Sequence, residues 1–251
     1  MSDFDRNLAT ARTGYRTDQV AVDAGLRAHM IRVYNYMAAG VALTGLIAWF
    51  TFSAAVTQTS GGLELTSFGQ TIYSGPLMWI LVLAPLGLVF AISFGINRLS
   101  PGTALALFFL YAGLLGISLS SIFLVYTGQS ITRVFFISAA TFGSLSLYGY
   151  TTKRDLGPIG SFLFMGLIGI VIASLVNIFL VSNALSWMIS VIGVLVFAGL
   201  TAWDTQKIKE MYSVNDDGTV SGRKAVMGAL SLYLDFINLF MMLLRIFGDR
   251  R

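Results

Sequence analysis

Residues 225–247 read AVMGALSLYLDFINLFMMLLRIF, and only Asp235 and Arg245 carry charge in them. An α-helix rises ~1.5 Å per residue, so this stretch reaches across the ~30 Å hydrocarbon core of a bilayer. A soluble surface helix would put charge on one face of every turn. Backbone groups in lipid must be satisfied within the segment, so a helix is expected here. Six more apolar stretches precede it, at roughly 33–52, 77–97, 103–125, 134–151, 158–181 and 185–210. Barrel strands would be ~10 residues long with strict alternation, a pattern these stretches lack. The expected fold class is therefore an all-α membrane protein, a bundle of seven transmembrane helices.

Composition agrees. Of 251 residues, 56% are hydrophobic and 11% are charged, against about 25% charged in soluble domains. So little charge would not keep the chain in water, and the lipid bilayer is the expected partner of most of its surface. The net charge is +4, but the basic residues sit between apolar stretches and lack interleaved exposed aromatics. Nucleic acid is not an expected partner. With no cysteine, disulfides, Cys-based zinc sites and thiol catalysis are excluded. Residues 1–30 are polar with no apolar h-region, so no cleavable secretory signal is expected.

Two regions follow: an N-terminal cytoplasmic tail at 1–32 and a seven-helix transmembrane domain at 33–248. Residues 53–76, nearly uncharged and containing Gly61, Gly62, Gly69 and Gly75, read as a polar loop. Asn215, Asp216, Asp217 and Gly218 read as a turn within the loop 211–224. Pro85 stands inside the second span, where a kink is expected. His29, the only histidine, reads as a solvated tail residue.

Charge sets the orientation. The tail and alternate loops hold twelve of the sixteen basic residues: Arg6, Arg12, Arg16, Arg27, Arg32, Arg98, Lys153, Arg154, Lys207, Lys209, Arg223 and Lys224. The opposite side holds Arg133, joined by Arg245, Arg250 and Arg251 if all seven spans cross. By the positive-inside rule the N-terminus is expected in the cytoplasm. The three late arginines leave open a final span that does not fully cross.

Two carboxyls fall at membrane depth. Asp204 lies late in span six and Asp235 near the middle of span seven. An intramembrane Asp costs ~2.5–3.5 kcal/mol on insertion scales and usually faces a bundle interior or a wet cavity. Asp204 is seven residues before Met211, or ~10 Å from the cytoplasmic end. Asp235 is ten residues after Ala225, or ~15 Å. On antiparallel neighbours the two can meet. Ser231, Asp235, Asn238 and Arg245 share one stripe at ~100° per residue. Span seven is thus the expected central, pathway-lining helix, with Asp235, Asn238 and Ser231 on the path.

Two carboxyls in one buried site cannot both ionise cheaply, so one shared proton is expected. Losing it would part the helices and leave two anionic oxygen ligands suited to a hard cation such as Ca²⁺. The plainer reading is that both only bond helices together, at about 0.6–2 kcal/mol per contact. Gly113, Gly116, Ser118, Ser120 and Ser121 read as close helix packing, and Asn177 as a structural hydrogen bond. Tyr148-Gly149-Tyr150 fits an interfacial aromatic belt. Arg98 is a candidate counter-charge for Asp204.

Three segments carry a family resemblance: Leu145-Ser146-Leu147-Tyr148-Gly149-Tyr150-Thr151-Thr152-Lys153, Phe197-Ala198-Gly199-Leu200-Thr201-Ala202-Trp203-Asp204-Thr205-Gln206, and Leu230-Ser231-Leu232-Tyr233-Leu234-Asp235-Phe236-Ile237-Asn238-Leu239-Phe240. With them the chain resembles the bacterial branch of the transmembrane Bax inhibitor motif family over roughly residues 30–248. Trp203 departs from the Tyr commoner before that Asp. The resemblance implies a central last helix, a cytoplasmic gate closed by Asp204 and Asp235, and a pH-dependent Ca²⁺ leak in the plasma membrane. Calcium would be a transported ion, with no cofactor.

Two other functions compete. Some members of that family modulate membrane-bound proteases, so a regulatory protein that binds such a partner is the alternative. An intramembrane aspartyl protease also places Asp residues on helices six and seven. That chemistry wants Gly-x-Gly-Asp where Leu232-Tyr233-Leu234-Asp235 stands, and a later Pro where none follows Pro158. No enzyme is therefore expected. A serine protease of the rhomboid type fails too, because His29 lies outside the spans.

Overall fold

The computed structural model describes residues 3–59 and 62–251, with side chains from Asp23 onward. The expectations for Arg6, Arg12 and Arg16 of the tail lie outside the described side chains. In chain order the elements are α1 (Asp3–Ala55), β1 (Val56–Thr59), β2 (Gly62–Leu65), α2 (Ser67–Ser74) and α3 (Leu77–Gly95). A 3-10 turn at Ile96–Arg98 follows, then α4 (Pro101–Leu119), α5 (Ile122–Val125) and α6 (Gly128–Thr151). The chain closes with α7 (Gly157–Leu180), α8 (Asn183–Glu210) and α9 (Gly218–Phe247). Seven helical segments are long and apolar enough to cross a membrane: Asp23–Ala55, Leu77–Arg98, Pro101–Val125, Gly128–Thr151, Gly157–Leu180, Asn183–Glu210 and Gly218–Phe247. The seven-helix reading of the sequence holds.

Local chemistry sets the boundaries. Ser100, Thr127, Ser182 and Asp217 each accept a backbone N–H from the helix they precede, satisfying a donor that would otherwise be orphaned. The Asp217 cap starts α9 at Gly218, seven residues before the apolar pattern begins. The turn is therefore shorter than the expected 211–224 loop. Residues 53–76 also differ from a plain loop. Val56 pairs with Leu65 and Thr59 with Gly62 in an antiparallel hairpin, and Thr66 caps α2. The nearly uncharged polar run forms structure because its backbone groups find partners in each other.

α9 is the core of the bundle. Leu232, Tyr233, Leu239 and Leu244 are fully buried on it, and α8, α1, α6 and α4 surround it. α7 packs chiefly on α8 and leaves Phe162, Phe179 and Leu180 exposed, as a lipid-facing helix should. The last span, Gly218–Phe247, is long and apolar enough to cross a membrane. After Gly248 the backbone of Asp249 accepts from Thr127, and Arg251 donates to Val125. The C-terminus thus lies beside the start of α6 and Arg133, whose guanidinium meets Asp249 at 2.6 Å.

Candidate functional site

α8 and α9 form an antiparallel pair clamped at its turn. The Lys224 ammonium donates to the Met211 carbonyl at 2.8 Å and to Asp216 at 2.6 Å, joining the start of α9 to the end of α8. Close approach is possible because Gly228 of α9 faces Ile208 and Gly193 of α8 faces Met242. Within this pair the Asp204 and Asp235 carboxyls lie within hydrogen-bonding reach of each other. Asp235 is buried, at 5% exposure, and Asp204 is half-buried.

The Asp235 Oδ2 is sealed from solvent and has no hydrogen-bond donor among the described residues. Ionised carboxylates only accept, so this pair bonds only if one member carries a proton. Lys207 lies one turn further along α8 than Asp204, and its ammonium stands 4.9 Å from the Trp203 ring centroid. Arg98, the candidate counter-charge from sequence, forms no ion pair with Asp204 among the described residues.

The other polar residues of the Asp204 segment hold neighbouring elements in place. Thr205 and Ser146 of α6 share a hydrogen bond of 2.9 Å, and Ser146 bonds the Tyr34 hydroxyl of α1 at 2.5 Å. Gln206 accepts from the Leu156 amide and donates to the Arg154 carbonyl, both at 2.8 Å. Lys209 donates to the Tyr150 carbonyl at 2.9 Å. Gly149 lets α6 approach the Ala202 backbone, where any Cβ would collide with its carbonyl oxygen. Trp203 lies over Gly160 of α7 in the same way. Asp204 is therefore set by a helix whose flanking residues are fastened to α6, α7 or the loop between them.

Ser231 and Asn238 lie half-buried on α9, on either side of Asp235. The Asn238 amide donates to the Leu234 carbonyl at 2.8 Å, which leaves its oxygen free to accept. Arg245 is exposed at the far end, so the inward stripe ends at Asn238. Asn177 donates to Ser186 and accepts from the Ser182 amide across the α7–α8 turn, the structural role read from sequence. Gly116 packs against the Thr44 carbonyl and Ile47, again as read.

His29 is a correction. It is buried, at 4% exposure, with its ring 5.7 Å from that of Tyr212 and neither nitrogen hydrogen-bonded among the described residues. α1 begins well before the apolar run, so His29 is carried along its face into the bundle. The Tyr34–Ser146–Thr205 chain was also missed. Ser146 and Thr205 stand in the quoted segments, but nothing in spacing pairs them with a tyrosine over a hundred residues earlier.

The family model described as "Inhibitor of apoptosis-promoting Bax1" matches residues 26–251. The chain belongs to this family. It is 47% identical to protein RP147 of Rickettsia prowazekii over 251 residues, covering all of both chains. It is 50% identical to the inner membrane protein YbhL of Escherichia coli K12 over 230 residues, 91% of this chain and 94% of that one. A Caulobacter vibrioides protein is 44% identical over the full length of both. The chain is an integral membrane protein of a family with an inner-membrane bacterial member.

Proposed function

We propose that this protein is a pH-gated leak for Ca²⁺ across a bacterial inner membrane, with Asp204 and Asp235 as its gate. The supporting observation is the carboxyl pair, whose contact needs a proton and in which the buried Asp235 Oδ2 has no other donor among the described residues. In acid the shared proton holds α8 to α9. Raising the pH removes it, and two charges in a poorly screened interior repel. Opening therefore increases with pH. The freed carboxylates offer anionic oxygens to a hard cation, with Ser231 and the Asn238 oxygen a turn to either side.

Two carboxylates fall short of the 6–8 oxygens that a Ca²⁺-holding site supplies. Among the described residues no third His or acid joins them. A passing ion would bind weakly enough to leave, as conduction requires. The inner-membrane name of the YbhL relative supports the location. The basic end carrying Arg98, Lys153 and Lys207 is assigned to the cytoplasm by its charge.

The test is Ca²⁺ entry into proteoliposomes from acid to mildly alkaline pH, with wild type beside Asp204→Asn/Asp235→Asn. Flux that rises with pH in wild type, and loses that dependence in the variant, is the expected result. A pH profile that the variant keeps would overturn the gate. No flux from folded wild type would transfer the function to the alternative, a regulatory membrane protein acting on a membrane-bound protease.

A further inference from the structure

α1 and α6 both pack on α9, yet they barely touch one another. The Tyr34–Ser146 hydrogen bond spans the gap between them. Two cavities lie along this seam. One, of about 510 Å³, is lined by Arg27, Met30 and Tyr34 of α1 and by Phe142, Gly143 and Leu147 of α6. The other, of about 330 Å³, lies toward the opposite membrane face, between Thr44 and Gly45 of α1 and Phe135 of α6. Both volumes fall in the ~300–1,000 Å³ range of small-molecule sites.

The two cavities differ in one respect. The larger has an exposed cation at its mouth, Arg27, and among the described residues no carboxylate pairs with it. Lys153 and Arg154 follow α6 on the same side, three and four residues past the lining Tyr150. Below Arg27 the walls are apolar, and the Tyr34 and Ser146 hydroxyls are already bonded to each other. The smaller cavity has no charged residue in its lining.

We propose that the larger cavity binds one acyl chain of an anionic phospholipid from the leaflet at the basic end, with the headgroup on Arg27. From Arg27 to Tyr34 the α1 wall of the cavity rises ~10 Å, about a third of the ~30 Å hydrocarbon core, which takes the upper part of a chain from the leaflet on that side. The side opening, marked by exposed Ile31 and Leu147, lets the second chain stay in the bilayer. That favours a diacyl lipid over a free fatty acid. A bound chain would keep α1 and α6 apart and preserve the Tyr34–Ser146 bond as their link. The site is separate from the carboxyl pair and does not depend on Ca²⁺ transport.

Glycines supply the test. A Cβ at Gly143 or at Gly45 would meet nothing within 4 Å, so a larger side chain at either can fill its own cavity without a backbone clash. Native mass spectrometry of delipidated full-length protein, titrated with phosphatidylglycerol or phosphatidylcholine, reads the site. Wild type should retain one phosphatidylglycerol at least tenfold more tightly than phosphatidylcholine. Gly143→Phe should lose that lipid, Arg27→Gln should lose the headgroup preference, and Gly45→Phe should behave as wild type. Equal retention of the two lipids by wild type would overturn the proposal. So would unchanged binding in Gly143→Phe, or oleate displacing phosphatidylglycerol at equal concentration. If Gly143→Phe fails to fold, the surface variant Arg27→Gln still decides the headgroup contact.

Discussion

α7 and α9 are both long enough to cross a membrane, and the more apolar of the two is the one on the outside. α7 buries two of its 24 residues, and α9 fifteen of its 30. A soluble protein would reverse this, placing its most apolar helix at the centre. In lipid, apolar side chains gain nothing by leaving the hydrocarbon, so helices associate through packing and polar contacts instead. α9 carries what rewards an interior place: Asp235, Asn238, the Tyr233 hydroxyl and the small residues Gly228 and Ala229. α7 offers Phe162, Phe179 and Leu180, which lipid solvates as well as protein does.

The comparison can be broken most sharply at Tyr233 and Phe179. The Tyr233 ring packs edge-on against Phe108 and Tyr111, and its hydroxyl bonds Thr44 at 2.6 Å. Tyr233→Ala should lower stability by ~3–5 kcal/mol, while Phe179→Ala, at a position 86% exposed, should change it by less than ~0.5 kcal/mol. Unfolding in detergent by denaturant titration measures both. Similar losses at the two positions would mean that α9 is not the packing centre.

A smaller effect sharpens the role of close approach. Gly149→Val places a branched side chain against the Ala202 carbonyl, with cost ~1–3 kcal/mol. Because α8 would have to shift, the proposed gate should also open at lower pH in the Ca²⁺ flux assay. A destabilised variant with an unchanged profile would separate the packing of α6 from the setting of Asp204. The smallest effect is expected at the Arg133–Asp249 pair. Both side chains are more than half exposed, so Arg133→Gln should cost under ~1 kcal/mol, and less in high salt. A larger loss would show that the C-terminal strap at Asp249–Arg251 contributes to the bundle.

Much of this architecture was legible as pattern. Seven apolar runs near bilayer length yield seven spans, because hydrocarbon thickness and helical rise are fixed quantities. Asp204 and Asp235 stood out because ionisable groups are rare at that depth, and antiparallel neighbours bring their levels together. The hairpin at 56–65 was less legible. Its strands of four residues are too short to show alternation, and Gly-rich polar runs look the same in loops. His29 was misread because burial of a residue before an apolar run depends on how far α1 extends and what Tyr212 covers. The Arg98 assignment failed for a related reason. Two charges at the cytoplasmic ends of different helices need not share a site, whereas Lys207 is one turn from Asp204 on the same helix.

By itself, then, the sequence determined the solvent, the number of crossings and the residues that cannot rest in lipid. These follow from local quantities: hydropathy, run length and the cost of placing charge in hydrocarbon. Only the tertiary structure decided that His29 is buried, which oxygen of Asp235 lacks a donor among the described residues, and that α1 and α6 leave a seam between them. Those are properties of distances between residues far apart in the chain. Side-chain volumes settle them when seven helices pack at once, and no single stretch of sequence contains that information.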